Sequence, residues 1–409
     1  MTIQGNLIIT VIILVLIILY SVKIKNIFNP ILLFSLPVGL GYILYFFFFQ
    51  YVWILSNTAL LVYILGLIGF NLGYMLFSLI ELHTYQSKIE LSISKQYYHF
   101  EKNYFVIFVY ILGIILNILS IKYLRSLGLT GSDLRDTFVL NAENMPFYVI
   151  YGKYILLFAI IALLDSALRQ KVSKIYWILI IIGISVALEG ALLTQARTDV
   201  LIIFLPIMTL FAMIKGKSIS YYKFFQYSLF TLCAIFFLYL MFKLIQVGRF
   251  GNDNSSFLSS SNQTFQYISL PLVAFDQWAV SSNYAGVMHG LGVFEPIDKI
   301  LKITGYNFPT FNLATMGQFN VYGYYQAPFM AFGLVGTFIA LIFVGAISRW
   351  VYTYALSNQF CLLIYVFFID GVMLSFYSWQ FFNMVIFYAI IFYAITIFTS
   401  SKSNQPFKE

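Results

Sequence analysis

Apolar residues arrive in this chain in long unbroken runs, not in the striped patterns of water-soluble helices or strands. Runs long enough to cross the ~30 Å hydrocarbon layer of a bilayer fall near 5–22, 30–49, 56–80, 103–121, 148–166, 175–193, 196–214, 222–245, 327–349, 359–377 and 380–399. The pattern predicts an all-α polytopic membrane protein of about eleven transmembrane helices, because a helix satisfies all its backbone groups within its own segment. One further apolar stretch, 265–281, "FQYISLPLVAFDQWAVS", is interrupted by Pro271 and Asp276. It is expected to lie in the interface or to dip in as a re-entrant helix rather than to cross. The first run has no basic n-region before it and no small-residue cleavage site after it, so it is expected to stay as a span.

Composition agrees with the pattern: 61% of residues are hydrophobic and 9% charged, where soluble domains carry roughly 25% charged residues. Charge then orients the spans. The short connections 23–29, 167–174 and 215–221 carry Lys23, Lys25, Arg169, Lys171, Lys174, Lys215 and Lys217 with no acid, and the tail adds Lys402 and Lys408. These share the cytoplasmic side if the N-terminus is outside and the C-terminus cytoplasmic. The segment 81–102, with Lys88, Lys95 and Lys102, then also lies inside. Residues 1–409 form a single integral membrane domain with external loops at 122–147 and, between helices 8 and 9, at 246–326. The net charge of +8 thus reflects membrane sidedness and calls for no nucleic-acid partner. Cys233 and Cys361 fall inside apolar runs, and His83, His99 and His289 are the only histidines, so neither a disulfide nor a metal centre is expected.

Four of the six arginines, Arg125, Arg135, Arg197 and Arg249, lie outside by this topology. Positive-inside bias predicts the reverse, so they need another reason. A guanidinium can grip phosphate or diphosphate with two parallel hydrogen bonds. Arg197, in "EGALLTQARTDVLIIFLP", enters the first turn of the seventh helix, where free N–H groups and the helix dipole also favour an anion. The plainer alternative for Arg197 is an ion pair with Glu189 or Asp199 tying the hairpin; for Arg135 it is a pair with Asp133 or Asp136, and for Arg249 one with Asp253. His289, in "YAGVMHGLGVFEPIDKI", is the one external histidine and a candidate general base, with Glu189 and Glu295 as alternatives. Glu295 before Pro296 also fits a helix start. Asp370 sits within an apolar run, where an acid usually lines a cavity or pairs. Walker A, G-x-S-x-G, H-E-x-x-H and D-x-D patterns are absent, leaving nucleotide hydrolysis, proteolysis and sugar-nucleotide transfer without support.

Three features resemble the oligosaccharide repeat-unit polymerases, the Wzy-type O-antigen and capsule polymerases of bacterial surface glycans. They are the arginine hairpin "LLTQARTDVL", the long external loop of the second half, and the run from Asn312–Thr315 to "PFMAFGLVGTFI" with its Phe332-Gly333 and Gly336. The resemblance implies a multi-pass protein of the bacterial cytoplasmic (inner) membrane acting on polyprenyl-diphosphate-linked oligosaccharides at its outer face. It would need no metal, nucleotide or other cofactor, and it would work alongside membrane lipid, a chain-length regulator and the flippase of the same pathway. Arg197, Arg249 and Arg125 would bind the diphosphate, and His289 or Glu189 would take the acceptor's proton. The alternatives are a flippase for the same lipid-linked sugars and an O-antigen ligase-type glycosyltransferase.

Overall fold

The computed structural model describes residues 3–24, 28–85, 97–129, 133, 134, 137, 145–170, 172–194, 197–215, 268–306, 322–376, 378–400, 402 and 403. The described elements are helices, apart from a two-residue antiparallel pairing of Tyr97–Tyr98 with Lys402–Ser403. In chain order they are α1 (Ile3–Ile24), α2 (Pro30–Phe48), α3 (Asn57–Tyr85), α4 (Tyr104–Ser126), α5 (Phe147–Arg169), α6 (Lys174–Leu193) and α7 (Arg197–Lys215). There follow α8 (Pro271–Phe275), continued by a π turn at Asp276–Val280, then α9 (Glu295–Ile303), α10 (Gln326–Ser357), α11 (Gln359–Met373) and α12 (Met384–Thr399). Eight of the described helices are long and apolar enough to cross a membrane: α1 to α6, α10, and α11 with the 3-10 turn that follows it. Two shorter apolar helices, Thr198–Ile214 within α7 and Met384–Thr399, join them. The chain is a polytopic helical membrane protein. The expected span at 222–245 lies outside the described residues.

The chain divides into two compact units. The first takes residues 1–93, 261–357 and 368–387; the second takes 94–260, 358–367 and 388–409, so α11 and α12 contribute to both.

In the first unit α1 shows how lipid inverts the usual helix pattern. Its outward positions Ile8, Val11, Ile12, Val15, Leu16 and Leu19 are exposed aliphatics, whereas Asn6, Thr10 and Ser21 are buried. Each of them makes a hydrogen bond inside: Asn6 Nδ2 donates to the Leu60 carbonyl at 3.4 Å, the Thr10 and Tyr63 hydroxyls meet at 3.3 Å, and Asn29 donates to Ser21 at 3.0 Å. A solvent without hydrogen-bonding capacity selects that arrangement. Its centre is the seam between α3 and α10, which run parallel: Tyr63 meets Tyr324, Gly69 meets Phe338, Gly73 meets Ile342, and Tyr74 meets Arg349. A Cβ on Gly69 would lie 2.9 Å from the Phe338 carbonyl oxygen, and one on Gly73 or Gly345 would strike the facing backbone. Apolar burial drives little association between helices in lipid, so such backbone contact supplies the attraction.

Within the stretch 265–281, expected to lie in the interface or to re-enter, Pro271–Phe275 is a short helix continued by the π turn, and Pro271 through Asp276 are all buried. Asp276 is its anchor. The carboxylate accepts from the Ser56 amide at 2.8 Å and from the Ser56 hydroxyl, immediately before α3 begins. A carboxylate there meets the orphan N–H groups and the positive end of the helix dipole.

In the second unit α4 and α5 cross antiparallel through small residues. A Cβ on Gly113 would lie 2.7 Å from the Leu156 Cα, and one on Gly152 would lie 3.3 Å from the Leu116 Cβ. Gly183 of α6 admits the Ile160 side chain, and the Tyr110 hydroxyl of α4 donates to the Leu179 carbonyl at 2.6 Å, setting α6 parallel to α4. At the far end, Asp165 pairs with Arg169 at 2.8 Å and accepts from Gln359, with both ionic side chains nearly inaccessible. Arg169, one of the charges that orients the spans, is therefore neutralised within α5.

Candidate functional site

The up-and-down course of α4 to α7 brings four helix ends of the second unit together: the C-termini of α4 and α6 and the N-termini of α5 and α7. A small apolar cluster of Leu124, Leu134 and Val149 packs this end beneath Tyr123, Leu127 and Tyr148. Charged residues gather there. Arg125 ends α4, Lys153 stands in the second turn of α5, Glu189 lies near the end of α6, and Asp199 is in the first turn of α7.

They form two ion pairs. Lys153 Nζ meets Asp199 Oδ2 at 2.6 Å, with the side chains 16% and 10% exposed. Arg125 Nη2 meets Glu189 Oε1, also at 2.6 Å, with the side chains 63% and 47% exposed. Asp199 is doubly held, by the ammonium and by its place at the positive end of α7. The sequence offered both acids as partners for Arg197; the structure gives Glu189 to Arg125 and Asp199 to Lys153. Arg197 is the first residue of α7, and its side chain lies outside the described residues, as do Arg249 and Arg135. Lys122 of α4 and Asp133, the neighbour of Leu134 in the apolar cluster, lie near this end as well.

His289 belongs to the first unit, on a loop fastened to a broken helix. Gly333, at φ 72 and ψ −164, leaves the helical region and interrupts α10. The carbonyls of Phe329, Met330 and Ala331 accept from the amides of Gly286, Met288 and Gly290 at 3.0, 2.9 and 3.1 Å. Three amides spaced by two along the loop thus satisfy three consecutive carbonyls, as broken backbone in a membrane protein requires. The loop achieves this with positive φ at Gly286, Gly290, Gly292 and His289 itself. His289 is exposed, and a histidine held at φ 46 is uncommon enough to mark a constrained position. The Phe332-Gly333 and Gly336 run noted in the sequence is this joint. Asn312 to Thr315 lie outside the described residues.

Glu295 is occupied twice: its carboxylate accepts from the Met384 amide at 2.9 Å and pairs with Lys299 at 3.1 Å. Asp370 is buried in α11, and its Oδ1 has no hydrogen-bond partner among the described residues. Cys361 is a free, half-buried thiol, and Cys233 lies outside the described residues. No family model, curated protein or solved structure matches the chain.

Lys153 is the functional candidate that the sequence analysis passed over. It was hidden inside the apolar run 148–166, yet that placement was itself the signal, because a lysine within a span needs a partner or a task. Its partner lies 46 positions away in sequence, from 199 − 153, and only the packing of α5 on α7 identifies it.

Proposed function

We propose that the chain is a glycosyltransferase of the repeat-unit polymerase type. It joins polyprenyl-diphosphate-linked oligosaccharides into a surface polysaccharide at the outer face of a bacterial cytoplasmic membrane. One observation carries the reading: charged helix ends gather in the second unit, where Arg125 and Lys153 pair with Glu189 and Asp199 and where Arg197 begins α7. Guanidinium and ammonium groups beside a helix N-terminus are the donors a diphosphate would use. The resemblance of the arginine hairpin and of the Phe332-Gly333 joint to the polymerases supports the same assignment.

In the proposed reaction an acceptor sugar hydroxyl attacks the anomeric carbon of the donor glycan. The carbon–oxygen bond to the diphosphate breaks, and the lipid diphosphate leaves with the electron pair. Arg197, with Arg125 beside Glu189, stabilises that negative charge, and Arg249 remains a further candidate; preorganised donors of this kind are commonly worth several kcal/mol. Glu189, at the same end of the second unit, is the candidate acceptor of the hydroxyl proton. The driving energy resides in the glycosyl phosphate, so the step draws on no nucleotide.

The test is a clean deletion in the native strain with surface glycan resolved by size, followed by complementation with Arg197→Ala and Glu189→Gln. Glycan reduced to single repeat units, not restored by Arg197→Ala, supports the polymerase. Lipid-linked single units trapped in the cell would identify a flippase, and long polymer left on its lipid carrier would identify a ligase. An unchanged size pattern would exclude all three.

A further inference from the structure

The nine residues of α9 form a helix with a proline start and a closed C-terminus. Pro296 occupies an N-terminal position that lacks an N–H partner in any case, and Asp298 accepts from the Gly292 amide at 3.0 Å. At the other end Gly305 takes φ 86, its amide bonds to the Lys302 carbonyl at 3.2 Å, and the Tyr306 amide reaches back to Leu301 at 3.0 Å. That pair of bonds is a Schellman stop. Capping alone does not make so short a helix persist in water, where isolated helices under ~12 residues are marginal. Tertiary packing supplies only part of the difference, because no residue of α9 is fully buried.

The faces of α9 are fully sorted. At 100° per residue, Pro296, Ile297, Ile300, Leu301 and Ile303 share one side, and Glu295, Asp298, Lys299 and Lys302 share the other. Ile297, Ile300 and Ile303 are 53%, 60% and 85% exposed, a contiguous aliphatic stripe with no protein over it among the described residues. The position of the helix indicates what covers that stripe. Glu295 accepts from the first amide of α12, Phe294 stacks on Phe382 at 4.6 Å, and the Trp379 indole donates to the Val293 carbonyl at 2.8 Å. The start of α9 is therefore fixed at the level where an apolar helix begins, amid the aromatic residues that favour the boundary between headgroups and acyl chains.

We propose that α9 is an interfacial helix. Its isoleucine stripe is seated ~5–10 Å into the leaflet on the side where α12 starts, with its charged side toward water. The two acids and two lysines of α9 cancel, so apolar burial holds it in place, independently of anionic lipid and of salt. This seat goes beyond the polymerase reading and does not depend on it. It holds the loop that carries His289 at the membrane surface.

The full chain, with Cys233→Ser and Cys361→Ser and single cysteines at Ile297, Asp298, Ile300, Lys302 or Ile303, is spin-labelled in vesicles of zwitterionic phospholipid. Collision with oxygen, which concentrates in lipid, is compared with collision with a water-soluble nickel chelate. The expected result is a helical period in which the labels at 297, 300 and 303 favour oxygen several-fold over those at 298 and 302, unchanged by added anionic lipid or salt. Uniform access to the nickel chelate would overturn the proposal. Exclusion of both reagents at 297 and 300 would also overturn it, showing protein on the stripe instead of lipid. Glycan size plays no part in this measurement, so either inference can fail alone.

Discussion

Two ion pairs at one end of the second unit have the same length and opposite character. Lys153–Asp199 and Arg125–Glu189 both measure 2.6 Å, but the first is nearly closed to its surroundings and the second stands open. Distance alone would rank them equal. Burial separates them, because desolvation makes a charge costly to leave alone, while water screens an exposed pair to little net value. The closed pair is expected to hold α5 to α7, leaving the open pair free to exchange its partner for an incoming anion.

The largest effect comes from breaking the closed pair on one side. Asp199→Ala strands Lys153 and is expected to lower stability by about 3–5 kcal/mol, read as a fall in the thermal midpoint in detergent. The double replacement Lys153→Met with Asp199→Leu removes both charges and should recover much of that loss; equal losses in the single and double variants would contradict the burial argument. Next is the anchor in the other unit. Asp276→Ala leaves the Ser56 amide and hydroxyl without their acceptor and should cost about 1.5–3 kcal/mol, the range for a hydrogen bond to a charged group. Arg125→Ala should change stability by no more than about 1 kcal/mol, so any shortening of the glycan in that variant reports function and not folding. A large thermal shift in Arg125→Ala would abolish the contrast between the pairs.

The smallest effect concerns pH. Partial burial, together with Glu295 nearby, holds the Asp298 carboxyl above its ordinary range, although the Gly292 amide pulls the other way. The folded state thus holds this proton more tightly than the unfolded chain does. The resulting stabilisation is complete below the unfolded pKa of about 3.9 and is lost as pH rises through the higher folded value. Amide-exchange protection over 292–303, corrected for intrinsic rates, should fall slightly as pH rises through that window, and Asp298→Asn should remove the dependence.

Much of the helical plan was legible in the sequence. Each predicted run within the described residues is a helix, because a segment of ~20 apolar residues has no other way to satisfy its backbone in lipid. The interruption at Pro271 and Asp276 was legible too, although not its purpose, since Asp276 serves Ser56 from 220 positions away, 276 − 56. The Glu295–Pro296 helix start was visible for the same local reason as the spans. The glycines at 69, 73, 113 and 345 carry no such local signature. Each is small because of a backbone on another helix, and that neighbour is unknown until the chain packs.

The candidate site divides along the same line. The sequence by itself placed charges at the ends of apolar runs and Arg197 in the first turn of an apolar helix, since hydropathy and helix polarity are properties of neighbours along the chain. Tertiary structure alone decided that Glu189 answers Arg125, that Asp199 answers Lys153, and that the loop amides at 286, 288 and 290 close the break in α10. Charges choose partners by distance and burial through space, and a one-dimensional pattern contains neither.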